Sequence, residues 1–113
     1  ITFSLSDSWN PNAFYIFLLS FGNSTGILLS NGRLIPINPD VLFDLSLIAP
    51  TGIGLIDSFG YLNNGNATAY WTIPNIPSIS GTTVYADLLT LDLSQPMPQT
   101  VSGISAPLPL TLI

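Results

Sequence analysis

Short runs of alternating apolar and polar residues, each closed by a turn signal, are the feature that most restricts the folds open to this chain. Ile1, Phe3 and Leu5 alternate with Thr or Ser, and Ala67–Ile73 and Thr83–Leu93 continue the pattern. A period of two places every second side chain on the same face, as in a strand with one buried side. The ten Pro and nine Gly residues fall mostly between the runs, where turns need them.

The clearest local element is an Asn31-Gly32 pair between two apolar runs. It predicts a β-hairpin, because both residues tolerate the positive φ of a type I′ turn. Residues 13–19 fit either a strand or a buried helix of two turns, and the flanking turn signals favour the strand. Further strands are predicted at residues 41–47, 53–57 and 108–113, and no stretch is convincingly helical. We expect one domain over residues 1–113, an all-β antiparallel sandwich of about eight strands, Ig-like or jelly-roll-like.

Charged residues are unusually scarce. They make up 6% of the chain, one Arg and six Asp, for a net charge of −5, whereas an ordinary soluble domain has about 25%. Arg33 alone cannot supply the phosphate contacts of a nucleic-acid binder or hold the chain on an anionic membrane. The longest apolar stretch, Ala13–Phe21, is too short for a transmembrane helix. Nucleic acid and membrane insertion are therefore excluded as partners.

Catalytic and metal sites lack their usual residues, because the chain has no His, no Cys and no Lys. Serine is abundant, but it has no His or Lys to act as its base. Asp87 and Asp92 are five positions apart and would point to opposite faces of a strand, whereas Asp40 and Asp44 would share a face. No calcium-loop spacing accompanies either pair. We expect Asp7 and Asp40 in turns, the other Asp residues solvated or bonded to backbone N–H groups, and no catalytic residue, metal or cofactor.

Two sets of residues suggest contact with sugars. Asn23 and Asn66 begin Asn-x-Thr sequences, which are acceptors for N-glycosylation and are expected in loops. The aromatic residues have two interpretations: core or interface anchors, which we favour, or a platform on which a carbohydrate stacks. They are Trp9, Trp71, Tyr15, Tyr61, Tyr70 and Tyr85.

Several segments resemble a small β domain that recurs in exported proteins of planctomycete-type bacteria. Ile73–Ala86, IPNIPSISGTTVYA, is similar to that family's IPN-x-P-x-x-x-G-x-x-x-Y-x-Q strand entry, and Leu91-Asp92 and Leu110–Ile113 are similar to its LD and final L-x-L-x-I. Pro39-Asp40 resembles its DP segment. The resemblance implies a β-sandwich in an exported setting with no known catalytic residue. Asp87 replaces the usual Gln, and residues 104–107 differ from the family's LSNA, so the resemblance implies no particular ligand or partner.

We expect this chain to be exported and to assemble with copies of itself. A chain that opens on Ile1 rather than Met is expected to be processed, by removal of a signal peptide or by excision. The scarce charge and the apolar runs at residues 15–19 and 42–48 favour a non-enzymatic extracellular or cell-surface subunit. Such a subunit would assemble with copies of itself, as a filament, pilus-like fibre or surface layer, by β-strand addition. The alternative is a secreted carbohydrate- or surface-binding module with glycans as partners.

The terminal strands are the candidate assembly strands, and pairing within their own domain is an equally good interpretation. Pro107 and Pro109 weaken the second of these strands, because each removes a backbone donor. The candidate residues are Ile1, Phe3, Leu5, Leu108, Leu110 and Leu112.

Overall fold

A computed structural model describes residues 1–73, 81–97, 99–106 and 108–111. This part of the chain forms ten strands, one α-helix and one 3₁₀ helix. In chain order these are β1 Thr2–Ser6, β2 Phe14–Ser20, β3 Ile27–Leu28, β4 Leu34–Ile35, α1 Val41–Ile48, the 3₁₀ helix Pro50–Ile53, β5 Leu55–Ile56, β6 Phe59–Tyr61, β7 Asn66–Trp71, β8 Thr83–Leu91, β9 Val101–Ile104 and β10 Leu108–Thr111.

Two antiparallel sheets form the body of the molecule. Sheet A has the order β1-β7-β5, and sheet B has the order β10-β8-β2-β6. β9 and β10 follow each other along the same edge of β8, since Ile104 pairs with Leu89 and Leu108 pairs with Ala86. The antiparallel β-sandwich expected from the sequence is confirmed.

The main core lies between the two sheets. Alternate residues of β1, β2, β7 and β8 point into it, as the period-two pattern predicts, and burying each large apolar side chain contributes roughly 1.5–3 kcal/mol. Its buried members are Phe3, Leu5, Tyr15, Phe17, Leu19, Leu42, Leu55, Leu62, Ala69, Trp71, Val84, Ala86 and Leu88.

A second, smaller core covers the opposite face of sheet B. Leu18 and Leu89 point into it from β2 and β8, and they meet Leu29, Ile35, Ile37 and Val101. The β3–β4 hairpin lies over this face, and the Arg33 guanidinium donates to the carbonyl of Val101. β2 is therefore buried on both faces within one chain, so the apolar run at residues 15–19 needs no other subunit to cover it.

The hairpin around Asn31-Gly32 is present, but its turn differs from the prediction. Leu29 N–H donates to Arg33 O at 2.8 Å, and Gly32 N–H donates to Leu29 O at 3.0 Å, which gives a three-residue loop. Only Gly32 has positive φ there, at 87°. The type I′ turn forms instead at Asn64-Gly65, where φ is 53° and 83° and Asn63 pairs with Asn66.

The strand predicted at residues 41–47 is wrong, because Val41–Ile48 is an α-helix. Asp40, interpreted from the sequence as a turn residue, caps its N-terminus by accepting from Phe43 N at 3.0 Å. This bond satisfies an N–H group that the first helical turn leaves unpaired. Leu42 and Ser46, four positions apart, are the buried residues of the helix, so its inner face is too narrow to mark the sequence as amphipathic.

Candidate functional site

In the described part of the chain, the outer edge of β1 is a stretch of backbone that could pair with another strand. Ile1 exchanges two backbone hydrogen bonds with Trp71, at 2.9 and 2.8 Å. In an antiparallel ladder, the N–H and C=O groups of neighbouring residues point to opposite sides. The groups of Thr2, Ser4 and Ser6 therefore point away from β7, and within the described residues β1 is the last strand on that side of sheet A.

The side chains of β1 divide between the core and solvent. Phe3 and Leu5 are buried, and the ring centroids of Phe3 and Phe17 lie 4.6 Å apart. A cleft of about 290 Å³ runs beside the strand, with Ser105, Ala106 and Leu108 forming its other wall. A second strand placed against β1 would lie over this cleft.

Both candidate assembly strands pair within their own chain. Ile1, Phe3 and Leu5 lie along the β1–β7 pair. Leu108 lies opposite Ala86 and Leu110 opposite Val84 in the β10–β8 pair. Leu112 lies outside the described residues.

The edge of β2 is closed by helix α1. β6 pairs only with Phe14–Ile16, so the last residues of β2 extend beyond it. Leu19 N–H donates to Ser46 Oγ at 3.1 Å, and Phe21 N–H donates to Asp40 Oδ2 at 2.8 Å. The Ser20 hydroxyl also donates to Asp40 Oδ2, at 2.9 Å. Polar side chains from the helix and its cap therefore occupy the positions that a further strand would take.

The outer edge of β8 is interrupted by a Ser side chain. Leu88 N–H donates to Ser105 Oγ at 2.9 Å, and Ser105 N–H donates to Leu88 O at 3.0 Å. The Ser105 hydroxyl donates in turn to Asp87 Oδ1. The pairing with β8 shifts between β9 and β10 at this point, which bends the edge and makes it a poor template for another strand.

Asp87 is buried at this irregularity, with only 1% of its surface exposed. Its Oδ1 accepts from Leu88 N at 2.9 Å, as expected for an Asp bonded to backbone, but Oδ2 has no hydrogen-bond partner among the described residues. Burial raises the pKa of Asp87 to about 6, although the hydrogen bonds from Ser105 and Leu88 oppose the shift. Of the two environments expected for this Asp, solvent or a backbone N–H group, the structure shows the backbone bond. Its burial was not predicted, and the sequence signal for it was an Asp inside the long apolar run of β8.

Asp40 and Asp44, the pair that the sequence places on one face, have separate surroundings in the structure. Asp40 bonds to backbone N–H groups and Ser20 as the helix cap, and Asp44 is exposed in the first turn. Asp57 and Asp92 are also exposed, and hydrogen bonds from Ser94 lower the pKa of Asp92. The described residues contain no group of three or more acidic side chains that could hold a metal ion.

Asp7 lies at the centre of a polar cluster that joins the two sheets. Its Oδ2 accepts from Asn10 Nδ2 at 2.9 Å and from Thr90 Oγ1 at 2.8 Å. Burial opposes its ionisation, but the hydrogen bonds from Asn10, Thr90 and Trp9 outweigh that effect and lower the pKa of Asp7. Gly103 packs so closely that a Cβ there would lie 2.6 Å from Asp7 Oδ2. This contact explains the Gly at that position.

Trp9 stands beside this cluster with 92% of its surface exposed. The backbone N–H of Trp9 donates to Asp7 Oδ1 at 3.1 Å, and the backbone N–H of Asn10 donates to Asp7 O at 3.3 Å. The loop is therefore fixed by its own hydrogen bonds. A groove of about 440 Å³ lies next to the indole and is lined by residues 6–10, 88 and 102–105. An exposed ring on a fixed loop beside polar groups can bind a ligand that has both a flat apolar face and hydroxyl groups.

The other aromatic candidates have separate roles. Trp71 and Tyr15 are buried in the main core, and each donates to a backbone carbonyl, Trp71 to Ile53 and Tyr15 to Asp57. Tyr85 packs against the second core, and Tyr70 is partly exposed on β7. Tyr61 belongs to an exposed group described next, so the six residues do not form one platform.

An aromatic patch, formed by Phe14, Phe59 and Tyr61, covers the outer face of sheet B along β6. The rings of Phe14 and Tyr61 meet edge to face with their centroids 5.3 Å apart, and the ring centroids of Phe14 and Phe59 lie 6.4 Å apart. Phe59 and Tyr61 are 60% and 67% exposed. A groove of about 210 Å³ connects the patch to Leu47 of helix α1, so this apolar surface extends over two elements.

Comparison with protein-family models, curated proteins and solved structures finds no match to this chain. Among the described residues, no helix has the length and apolar character needed to cross a bilayer.

The two N-glycosylation sequences are both accessible. Asn23 lies in an exposed loop, as expected. Asn66 is also exposed, but it is the first residue of β7 rather than part of a loop. Its Nδ2 donates to Asn64 O at 3.2 Å, and a glycan would replace one of the two hydrogens on this nitrogen.

Proposed function

We propose that this protein is a non-enzymatic extracellular subunit that assembles with copies of itself into a filament, a pilus-like fibre or a surface layer. The observation that carries the proposal is the aromatic patch on a chain with almost no charge. A soluble domain normally stays monomeric by spreading charges of both signs over its surface. Contiguous exposed apolar surface on such a background marks a contact with another protein.

The patch has the composition expected at the centre of an interface. Aromatic residues are enriched there and charged residues are depleted. Phe59 and Tyr61 lie on the short edge strand β6, and Leu47 and Ile48 extend the apolar surface along the helix, Ile48 being 80% exposed. These aromatic and aliphatic side chains carry no charge, so covering them with a second copy removes apolar area from water.

The proposal predicts that the intact chain forms large particles in solution. Analytical ultracentrifugation and negative-stain microscopy should find assemblies well above the 12.0 kDa of one chain. The double variant Phe59→Ser with Tyr61→Ser should reduce particle mass at least several-fold, because it removes the centre of the contact.

The matched control is Leu28→Ser, which also removes an exposed apolar side chain but lies on the β3–β4 hairpin. Its particle mass should equal that of the parent chain. A parent chain that stays monomeric at high concentration would contradict the assembly proposal.

A second function, carbohydrate binding, is favoured by Trp9 and its groove. Stacking a sugar ring on an exposed indole, with hydroxyl groups directed at Asn10 and Ser102, uses an apolar face and polar groups together. Adding cello-, chito- or xylo-oligosaccharides should change the tryptophan fluorescence, and Trp9→Ala should abolish binding while leaving unfolding stability within about 0.5 kcal/mol of the parent. No binding by any of these sugars would remove this alternative.

A further inference from the structure

We propose that two copies of this chain join through their β1 strands, in an antiparallel pairing centred on Ser4, so that sheet A continues from one copy into the other. The inference rests on the proposed self-assembly and names one of its contacts.

The outward-facing backbone groups restrict the register, and a pairing centred on Ser4 uses all of them. A twofold axis at Ser4 places Ser4 opposite Ser4 of the second copy, and Thr2 opposite Ser6. These residues carry the N–H and C=O groups that point away from β7, so each opposed pair exchanges two hydrogen bonds, giving on the order of six across the joint. A shift by one residue would instead present groups that β7 already uses.

The side chains agree with this register. On the core side, Phe3 lies opposite Leu5 of the second copy, and on the outer side Thr and Ser hydroxyl groups face each other. Both kinds of cross-strand pair are favourable. Residues 1–6 contain no charged side chain in a chain of net charge −5, so two copies approach here without opposing carboxylates within the strands.

The other edges of the described sheets are poor templates for a strand. Ser46 and Asp40 close the end of β2, the Ser105 irregularity and Pro109 interrupt the β9–β10 edge, and β5 and β6 are only two and three residues long. β1 has five residues, with no Pro, no bulge and no charge. Among the described residues, nothing covers or interrupts this edge strand in the ways by which proteins protect such edges.

The cleft beside β1 adds area to the contact. Pairing two short strands alone falls below the roughly 1,200 Å² that specific interfaces bury. The strand of the second copy lies over the cleft of about 290 Å³, whose walls include Leu88 and Leu108. Because a twofold joint is closed, it links copies in pairs, and a second contact such as the aromatic patch is needed to extend the assembly.

Cysteine cross-linking tests the register directly, since the chain contains no Cys. In the proposed joint the Cα atoms of the two Ser4 residues lie about 5.5 Å apart, a distance that suits a disulfide. Oxidised Ser4→Cys should therefore run as a covalent dimer in most of the material. Thr68→Cys is the matched control, because Thr68 pairs with Ser4 in sheet A but lies on the inner strand β7; it should remain largely uncross-linked.

A second variant tests the joint without cross-linking. Ser4→Lys places two like charges opposite each other and should lower the particle mass to that of the units held by other contacts, whereas Thr68→Lys should leave it unchanged. Assemblies that persist in Ser4→Lys, with no cross-link in Ser4→Cys, would overturn the β1 joint and leave self-assembly standing. A parent chain that is monomeric at every concentration would overturn both.

Discussion

Beyond its pairing with β6, strand β2 meets helix α1, whereas strand β1 meets no further strand among the described residues. At β2, Ser46 and Asp40 take up the backbone N–H groups of Leu19 and Phe21. At β1, the corresponding groups of Thr2, Ser4 and Ser6 face outward. The difference indicates that this fold closes a sheet edge with polar side chains at one place and leaves a neutral edge open at another.

Among the variants that test this comparison of edges, removal of the Asp40 carboxylate should cause the largest loss of folding stability. Asp40→Ala deletes the helix cap to Phe43 N and the acceptor for Ser20 and Phe21. We expect a loss of about 3 kcal/mol in the free energy of unfolding, because a cap and a partly buried network are lost together. Urea unfolding measures it, and Asp44→Ala, on the same helical turn but exposed, should change stability by less than about 1 kcal/mol. Equal losses in the two variants would mean that Asp40 does not close the β2 edge.

The pH dependence of stability tests the interrupted edge of β8. The pKa of Asp87 is raised to about 6 in the folded chain, above its value in the unfolded chain, so folding favours the protonated carboxyl. The protonated Asp87 carboxyl contributes its full stabilisation below about pH 4, and this contribution is lost as the pH rises towards 6. The free energy of unfolding changes by on the order of 2 kcal/mol over this range.

Asp87→Asn is the variant that isolates this contribution. The difference in unfolding free energy between the parent and Asp87→Asn should vary over the same pH window and be constant above it. Subtracting the variant removes the opposite pH dependence of Asp7 and Asp92, whose pKa values are lowered. A constant difference from pH 3.5 to 7 would show that Asp87 is not held in an apolar environment.

Replacing Ser46 should cause the smallest loss of stability among these variants. Ser46→Ala leaves Leu19 N–H without its side-chain acceptor at a buried position, and we expect a loss of about 1–2 kcal/mol. Ser30→Ala, in the exposed hairpin loop, should be neutral. If the comparison of edges is right, Ser46→Ala should also increase non-specific aggregation in light scattering, since it reopens the end of β2. Unchanged stability and scattering would argue against that role.

The sequence predicted the strands well where alternation was strong and failed where tertiary contacts decide the structure. Residues 1–6 and 83–91 form strands as their period of two indicates. Residues 41–47 were predicted as a strand, whereas Val41–Ile48 is a helix. The apolar residues of this segment show no helical period, and only the Asp40 cap marks the helix. Asp87 was predicted to be either solvated or bonded to a backbone N–H group, and it does accept from Leu88 N–H. Its burial was not predicted, because the second core on the other face of sheet B depends on tertiary contacts.

The candidate site was predicted only in part for the same reason. The neutral, alternating character of residues 1–6 is visible in the sequence. The pairing with β7, some 65 residues later in the chain, determines which backbone N–H and C=O groups of residues 1–6 stay unpaired. No described strand lies beyond β1 to pair with them. The exposure of Trp9 likewise depends on hydrogen bonds within its loop that composition does not reveal.

The long separation between β1 and β7 also has a consequence for the timing of folding. At the roughly 5–20 residues per second of protein synthesis, β1 leaves the ribosome roughly 3–13 s before its partner strand exists. Throughout that interval Phe3 and Leu5 belong to a nascent chain without a sheet to join. Contacts between such distant segments also make folding slow, so β1 should be among the last strands to dock. A late-docking strand of this kind is one that neighbouring chains can exchange before each has completed its own sheet.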